Sequence, residues 1–281
     1  MDLFSLQDRV ALITGGAGLL GIEHAKAIRD AGGVPIITDI NQKSVDKAVS
    51  EVGGACEGLT LNVTDKASIE SALCEVLERH GKLDVLVNNA ARNPKVEPAP
   101  ASGQHGPPSV VGNLTVFPRF ANLDLCDWNL DIAVGLTGTM LCCQVFGEHM
   151  ARNGGGAVVN IGSEYALVAP DQSVYRMEGL PDDQQPSKPL TYTVIKHAIV
   201  GLTRHLAVYW AQQGVRVNCL CPGGVEQNQN IEFKRRMKRL IPMGRMAPPD
   251  HIHGALVFLC SNASAFMTGE VVAVNGGRTV W

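Results

Sequence analysis

The sequence predicts a doubly wound α/β fold: one parallel sheet of about seven strands, flanked by helices, over residues 1–281. Three observations predict it. Short apolar runs recur along the chain at 10–13, 34–38, 59–63, 83–87, 157–161, 215–220 and 271–274. Most are continuous rather than alternating, as strands covered on both faces must be. Amphipathic stretches separate them, and the first strand runs into a glycine-rich turn. A helix over about 20–31 follows that turn. Behind the third run, Ile69, Leu73, Val76 and Leu77 form one apolar helical stripe. Gly81 then stands where a left-handed helix cap belongs. Residues 92–120, with Pro94, Pro98, Pro100, Pro107, Pro108 and Pro118, and residues 171–189 break the rhythm and read as insertions within one domain.

Composition removes several classes of function. With 45% hydrophobic and 18% charged residues the chain is a folding one, and a net charge of −3 offers no basic field for nucleic acid or an anionic membrane. No secretory signal is visible at the amino terminus, and no run of about 18 apolar residues suggests a membrane span. The eight cysteines include no C-x-x-C pair and read as reduced and mostly buried, so a cytoplasmic protein is expected. His251 and His253 form the only close histidine pair, without a ligand set around it, and no metal site is expected.

The turn Thr14-Gly15-Gly16-Ala17-Gly18-Leu19-Leu20-Gly21 joins a strand to a helix, where a dinucleotide pyrophosphate binds: glycines admit the phosphates and the helix start offers unpaired N–H groups. Asp39 closes the second strand. An acid there accepts hydrogen bonds from ribose hydroxyls and repels a 2′-phosphate, and no arginine follows among Ile40, Asn41, Gln42 and Lys43. The cofactor expected is NAD, with NADP disfavoured.

With these elements the chain resembles the short-chain dehydrogenase/reductase family, in its compact single-domain, Rossmann-like branch, over essentially its whole length. Asn62-Val63 is similar to the family's adenine-contacting pair, and Asn88-Asn89-Ala90-Ala91 to its Asn-Asn-Ala-Gly element, with Ala91 in place of glycine. Cys221-Pro222-Gly223-Gly224 resembles the Pro-Gly turn after the sixth strand, and residues 258–277 the carboxy-terminal signature. The resemblance implies a cofactor site of Gly15, Gly18, Leu19, Leu20, Gly21, Asp39, Ile40, Asn62, Val63, Asn89, Ala90, Ala91, Tyr192, Lys196, Pro222, Gly223 and Val225. Two departures stand out. Leu19 replaces a glycine of the compact branch, giving a spacing like that of the nucleotide-sugar branch, although only 57 residues follow Gly224. Gly135 stands where the family's relay asparagine belongs.

The catalytic set implied is Ser163, Tyr192 and Lys196. Of the four tyrosines only Tyr192 has a lysine at +4, on the same helix face, where an ammonium is expected to lower the phenol's pKa. These residues point to hydride transfer between NAD and a secondary alcohol or ketone, the substrate a sugar or polyol derivative. Further similarity runs to bacterial relatives associated with surface-sugar biosynthesis. A 3-oxoacyl thioester reductase-like enzyme and a non-catalytic dinucleotide-binding protein are the alternatives. Relatives imply a homodimer or homotetramer packed through Leu136, Met140, Leu141 and Val145 on one helix and Ile199, Leu202, Leu206 and Tyr209 on another. The insertion at 171–189 joins Ser163 to Tyr192 and is expected to be a substrate lid, with Arg176 a ligand-binding candidate.

Overall fold

The computed structural model describes residues 2–92, 110–111, 114–115, 120, 123–182 and 185–281. The chain runs β1 (Val10–Thr14), α1 (Leu19–Asp30), β2 (Val34–Asp39), α2 (Gln42–Val52), β3 (Glu57–Thr60), α3 (Lys66–His80) and β4 (Val85–Asn88). A two-residue hairpin, β5 (Val110–Val111) with β6 (Leu114–Thr115), lies in the first insertion, whose remaining expected features fall mostly outside the described residues. Then follow the long helix α4 (Leu125–Arg152), β7 (Gly156–Ile161), α5 (Leu190–Tyr209), β8 (Val215–Pro222), α6 (Ile231–Leu240), α7 (His253–Cys260) and β9 (Val271–Val274). Seven strands form one sheet in the order β3-β2-β1-β4-β7-β8-β9, every pair parallel. The order reverses between β1 and β4, the position where open α/β sheets take ligands at their carboxyl edge.

Side chains alternate across the sheet and feed two cores. Ala11, Ile13, Ile37, Val85 and Val159 face Ile28 of α1, Val45 of α2 and Leu256 and Leu259 of α7. Val10, Leu12, Ile36, Leu86 and Val158 face Ile69 and Val76 of α3 and Phe146 and Met150 of α4. Both faces are covered, which is why the strands read as unbroken apolar runs. In α3, Asp65 caps the first turn by accepting from Ala67 N at 3.0 Å, and Gly81 ends the helix at φ 71°.

Two strand expectations are corrected. The third strand is Glu57–Thr60 rather than 59–63, because its ladder to β2 ends where β2 ends, at Asp39↔Thr60. Beyond it Asn62 turns the chain, its side-chain oxygen accepting from Thr64 N (3.1 Å) and Thr64 Oγ1 (2.8 Å). The fourth strand begins at Val85 rather than 83. Among the described residues α4 is also long and apolar enough to cross a bilayer, which no unbroken run in the sequence suggests. Its inner face, Cys142, Cys143, Phe146 and Met150, is buried against the sheet.

Helix α4 carries two π turns, at Ala133–Thr137 and Cys143–Gly147. Gly147 lets the Trp210 indole lie flat against the second: a Cβ there would come within 2.5 Å of Trp210 Cη2. Trp210 is buried and donates to Glu148 Oε2 at 3.3 Å, so the ring has little room to move. Gly147→Val should therefore cost about 1–3 kcal/mol of stability by overpacking. Chemical denaturation checks this, and an unchanged midpoint would show that the indole swings aside.

Candidate active site

The glycine turn after β1 is built against the end of β4. Thr14 Oγ1 accepts from the backbone N–H of Asn89 and of Ala90, both at 3.1 Å, and Asn89 Nδ2 donates back to Thr14 O (3.1 Å) and Gly15 O (2.9 Å). Gly15 takes φ +59°, and a Cβ on it would meet Ala90 Cα at 2.7 Å. A Cβ on Gly21 would meet Gly16 Cα at 2.5 Å, so only glycine lets α1 close on the turn. Gly18 caps α1 without a side-chain hydrogen bond, a Cβ on it would meet only Gly15 O at 3.5 Å, and Leu19 and Leu20 begin the helix. This is an open cradle of backbone N–H groups with the positive end of a helix behind it, and it fits a dinucleotide pyrophosphate. Asp39 ends β2 beside it, with Oδ1 accepting from Ile40 N at 2.8 Å and Ile40 itself exposed. Val63 lies against Gly138 of α4 and is buried, whereas the side-chain oxygen of Asn62 is committed to Thr64. Gly223 N donates to Val274 O, fixing the turn after β8, and Val225 bridges to Ala247.

Ser163 follows β7, and Tyr192 and Lys196 lie on the first turns of α5. The Ser163 hydroxyl accepts from Tyr165 N at 3.2 Å, and its interaction with the Tyr192 phenol favours the phenolate. Lys196 Nζ donates to Ile161 O at 2.6 Å and lies 5.7 Å from the Tyr192 ring centre. Three residues expected from sequence to act together are thus brought together, at the carboxyl edge beside the glycine turn. The start of α5 is pinned from below: Thr191 Oγ1 donates to Asp131 Oδ2 at 2.6 Å, and Arg92 pairs with Asp131 Oδ1 at 3.2 Å.

The electrostatics correct one expectation. Burial pushes the Tyr192 phenol above its usual range; the Ser163 hydrogen bond acts against this, and Glu164 and Cys221 reinforce it. Lys196 does not pull it down, because its ammonium is turned to the Ile161 carbonyl. Burial lowers Lys196 to about 8. Sequence reasoning missed two neighbours. Glu164, next to Ser163, is buried, which raises its carboxyl to about 7 against the opposing Arg278 charge and a hydrogen bond from Gly224 N–H. Lys188 lies over the Tyr192 ring, Nζ 3.9 Å from its centre. Its signal was present as a lysine at −4 from the tyrosine, overlooked between Pro186 and Pro189 in a stretch read as loop.

The second insertion packs on α6. Val174 joins Met237, Ile241 and Met246 in a small core, the Tyr175 ring sits 5.5 Å from that of Phe233, and its hydroxyl is 3.1 Å from that of Tyr165. Gln185 closes the loop through Met177 N (2.8 Å) and Leu180 O (2.6 Å). Arg176 forms an ion pair with Asp182 of its own loop, and Asp183 and Gln184 lie outside the described residues.

Residues 9–176 match the family model described as short chain dehydrogenase, and residues 183–279 one described as enoyl-(acyl carrier protein) reductase. D-threitol dehydrogenase of Mycolicibacterium smegmatis is 34% identical over 285 residues, covering 99% of this chain and 95% of its own. Galactitol 2-dehydrogenase (L-tagatose-forming) of Cereibacter sphaeroides is 29% identical, covering 99% and 98%. Among solved structures, a gluconate 5-dehydrogenase from Burkholderia cenocepacia in complex with NADP and tartrate aligns with a TM-score of 0.79 at 27% identity, covering 100% of this chain and 98% of that one. The chain belongs to the short-chain dehydrogenase family. It is an NAD(P)-dependent oxidoreductase acting on CH–OH groups.

The missing relay asparagine has a packing cause. Ile195 of α5 fills the space beside Gly135: a Cβ there would meet Ile195 Cγ2 at 3.0 Å and Cδ1 at 3.1 Å. Gly135→Asn alone should therefore lose about 1–3 kcal/mol of stability, and Gly135→Asn with Ile195→Ala should regain part of it. Denaturation of the parent, of Gly135→Asn and Ile195→Ala singly, and of the double variant tests the coupling; simple additivity would refute it.

Proposed function

We propose that the chain is an NAD-dependent dehydrogenase interconverting a secondary alcohol and a ketone on a polyol or sugar derivative. The observation that carries this reading is the placement of Ser163 just after β7 with Tyr192 and Lys196 one turn apart on α5, at the carboxyl edge beside the glycine turn. Ser163 holds the substrate oxygen. In the oxidising direction the Tyr192 phenolate takes the hydroxyl proton, and in reduction the phenol returns it. The nicotinamide, when bound, accepts or supplies the hydride. Gly15, Gly18, Leu19, Leu20 and Gly21 would hold its pyrophosphate; Asp39 and Ile40, with Asn62 and Val63, would receive the adenosine; Asn89, Ala90, Ala91, Pro222, Gly223, Val225, Tyr192 and Lys196 would receive the nicotinamide half. The threitol and galactitol dehydrogenases among the relatives support a polyol substrate. A relative from Aquifex aeolicus described as a 3-oxoacyl-[acyl-carrier-protein] reductase, 28% identical over 280 residues, favours a second reading, reduction of a 3-oxoacyl thioester.

Of the residues expected to pack between subunits, Ile199 is buried in this chain's own core and Leu136, Leu141, Val145, Leu202 and Leu206 pack against its cores, because α4 and α5 cover the sheet with those faces. Met140 and Tyr209 remain exposed and are what supports a homodimer or homotetramer through those helices, which we place in the cytoplasm.

Steady-state rates with a panel of C4–C6 polyols, their keto forms and a 3-oxoacyl thioester test the substrate class. Tyr192→Phe should lower kcat by roughly 10²–10⁴-fold while cofactor binding persists. Normal turnover by that variant on the same substrate would remove Tyr192 from the proton path.

Cofactor choice rests on Asp39, which among the described residues leaves its second carboxylate oxygen without a protein hydrogen bond and makes no ion pair within 4.0 Å. The parent should bind NAD in preference to NADP, and Asp39→Ala should narrow that preference by about tenfold or more. Titration of both cofactors by fluorescence decides, and equal affinities in the parent would exclude the assignment.

A further inference from the structure

Two ammonium groups flank Tyr192, one four residues before it and one four residues after. Lys188 Nζ lies 3.9 Å from the ring centre, and Lys196 Nζ lies 5.7 Å from it with a 2.6 Å hydrogen bond to Ile161 O. The nearer charge is therefore the one outside the Tyr-x-x-x-Lys pattern. We propose that Lys188 is a positioning residue acting through Tyr192: its ammonium, held over the ring, favours the phenolate that accepts the alcohol proton. This rests on the reading of Tyr192 as the proton acceptor.

The physical argument is one of placement. A cation over an aromatic face is attracted to the ring's π density, and the attraction grows when the ring carries the charge of a phenolate. Burial opposes ionisation of Tyr192, so a charge that supports the phenolate has to come from a close neighbour. Two features hold Lys188 in place. Pro186 and Pro189 bracket it, restricting the backbone just before α5. Gln172 Oε1 accepts from Lys188 N at 2.8 Å, tying the segment to the start of the second insertion. That gives the insertion a task besides covering substrate: it carries a charge back onto the catalytic helix.

The groups facing Lys188 set the pH range in which this works. Burial, with the Lys196 charge on α5 adding to it and Glu164 after β7 opposing it, lowers its ammonium to about 8. Glu164 is faced in turn by Arg278 from the carboxy-terminal turn and by the Gly224 N–H. The Tyr165 ring meets the edge of Tyr192 at 6.4 Å. Lys188 is thus charged at neutral pH and loses its charge as pH rises through about 8, and its support for the phenolate fades over that interval.

The test uses Lys188→Met and Lys188→Arg with two readouts. The first is the pH dependence of kcat/KM for alcohol oxidation. Lys188→Met should move the acid limb upward by about one unit, a loss of about tenfold at neutral pH that closes at high pH, and Lys188→Arg should restore most of it. The second needs no substrate: the near-ultraviolet phenolate absorbance is titrated in each variant, and Tyr192→Phe supplies the baseline that isolates Tyr192 from the other three tyrosines. Its midpoint should fall in Lys188→Arg, whose charge persists through the titration, and stay near the parent in Lys188→Met, because the parent ammonium is already neutral there. A uniform loss of rate at every pH in Lys188→Met, or an unmoved absorbance midpoint in Lys188→Arg, overturns the proposal. If no polyol turns over, the substrate reading fails while the absorbance titration still decides the role of Lys188.

Discussion

The reciprocal hydrogen bonds between the first strand's turn and the residues beyond β4 hold this active site together. Thr14 accepts from two N–H groups there, and Asn89 returns two bonds to Thr14 and Gly15. Each such bond contributes on the order of 1 kcal/mol, and leaving one buried partner unpaired costs about 1–3 kcal/mol. The pairing fixes where β1 and β4 diverge, and with it the crevice at the reversal of strand order. Gly15 is required at the same point because the two backbones approach more closely than any side chain permits.

From that junction the support spreads inward across the sheet. Asn88 donates to Asn160 Oδ1 of β7 at 2.8 Å, and Asn160 donates to Thr203 Oγ1 of α5 at 2.9 Å. A buried polar line therefore runs from the strand beneath the glycine turn to the helix bearing Tyr192 and Lys196. Thr191, Asp131 and Arg92 form a second tie, joining the start of that helix to α4 and to the segment after β4. Buried polar lines of this kind disfavour other arrangements, because an alternative packing strands more polar groups; here Asn88 Oδ1 is the one end left without a partner among the described residues of the first line. The serine loop is held separately, through Glu164 and the Gly224 N–H, to the turn that follows β8.

Charge around Tyr192 was harder to anticipate than its position. The tyrosine and Lys196 were legible because helical spacing puts i and i+4 on one face. The direction of the lysine was not, since its bond to Ile161 O depends on a strand that ends thirty-five residues earlier in the chain. Lys188 was hidden for a related reason: it precedes α5, in a proline-flanked stretch without periodicity, and only the path of the second insertion brings it over the ring. Glu164 reads as an ordinary loop acid until Asn275 and Gly223 close over it.

By itself the sequence determined the parallel sheet and the seven strands, because burial on both faces demands continuous apolar runs whatever their partners. The glycine turn, from the close backbone approach it needs, and the acid closing β2 were legible in it too, and Ser163, Tyr192 and Lys196 were legible as a set through the resemblance to the family. The ends of β3 and β4 were decided by the tertiary structure, since a strand stops where its neighbour's ladder stops. So was the exchange at Gly135, which depends on the bulk of Ile195 sixty residues away. The ionisation of the centre was decided there too: desolvation and the approach of Lys188 and Glu164 arise only when segments distant in the chain are packed together.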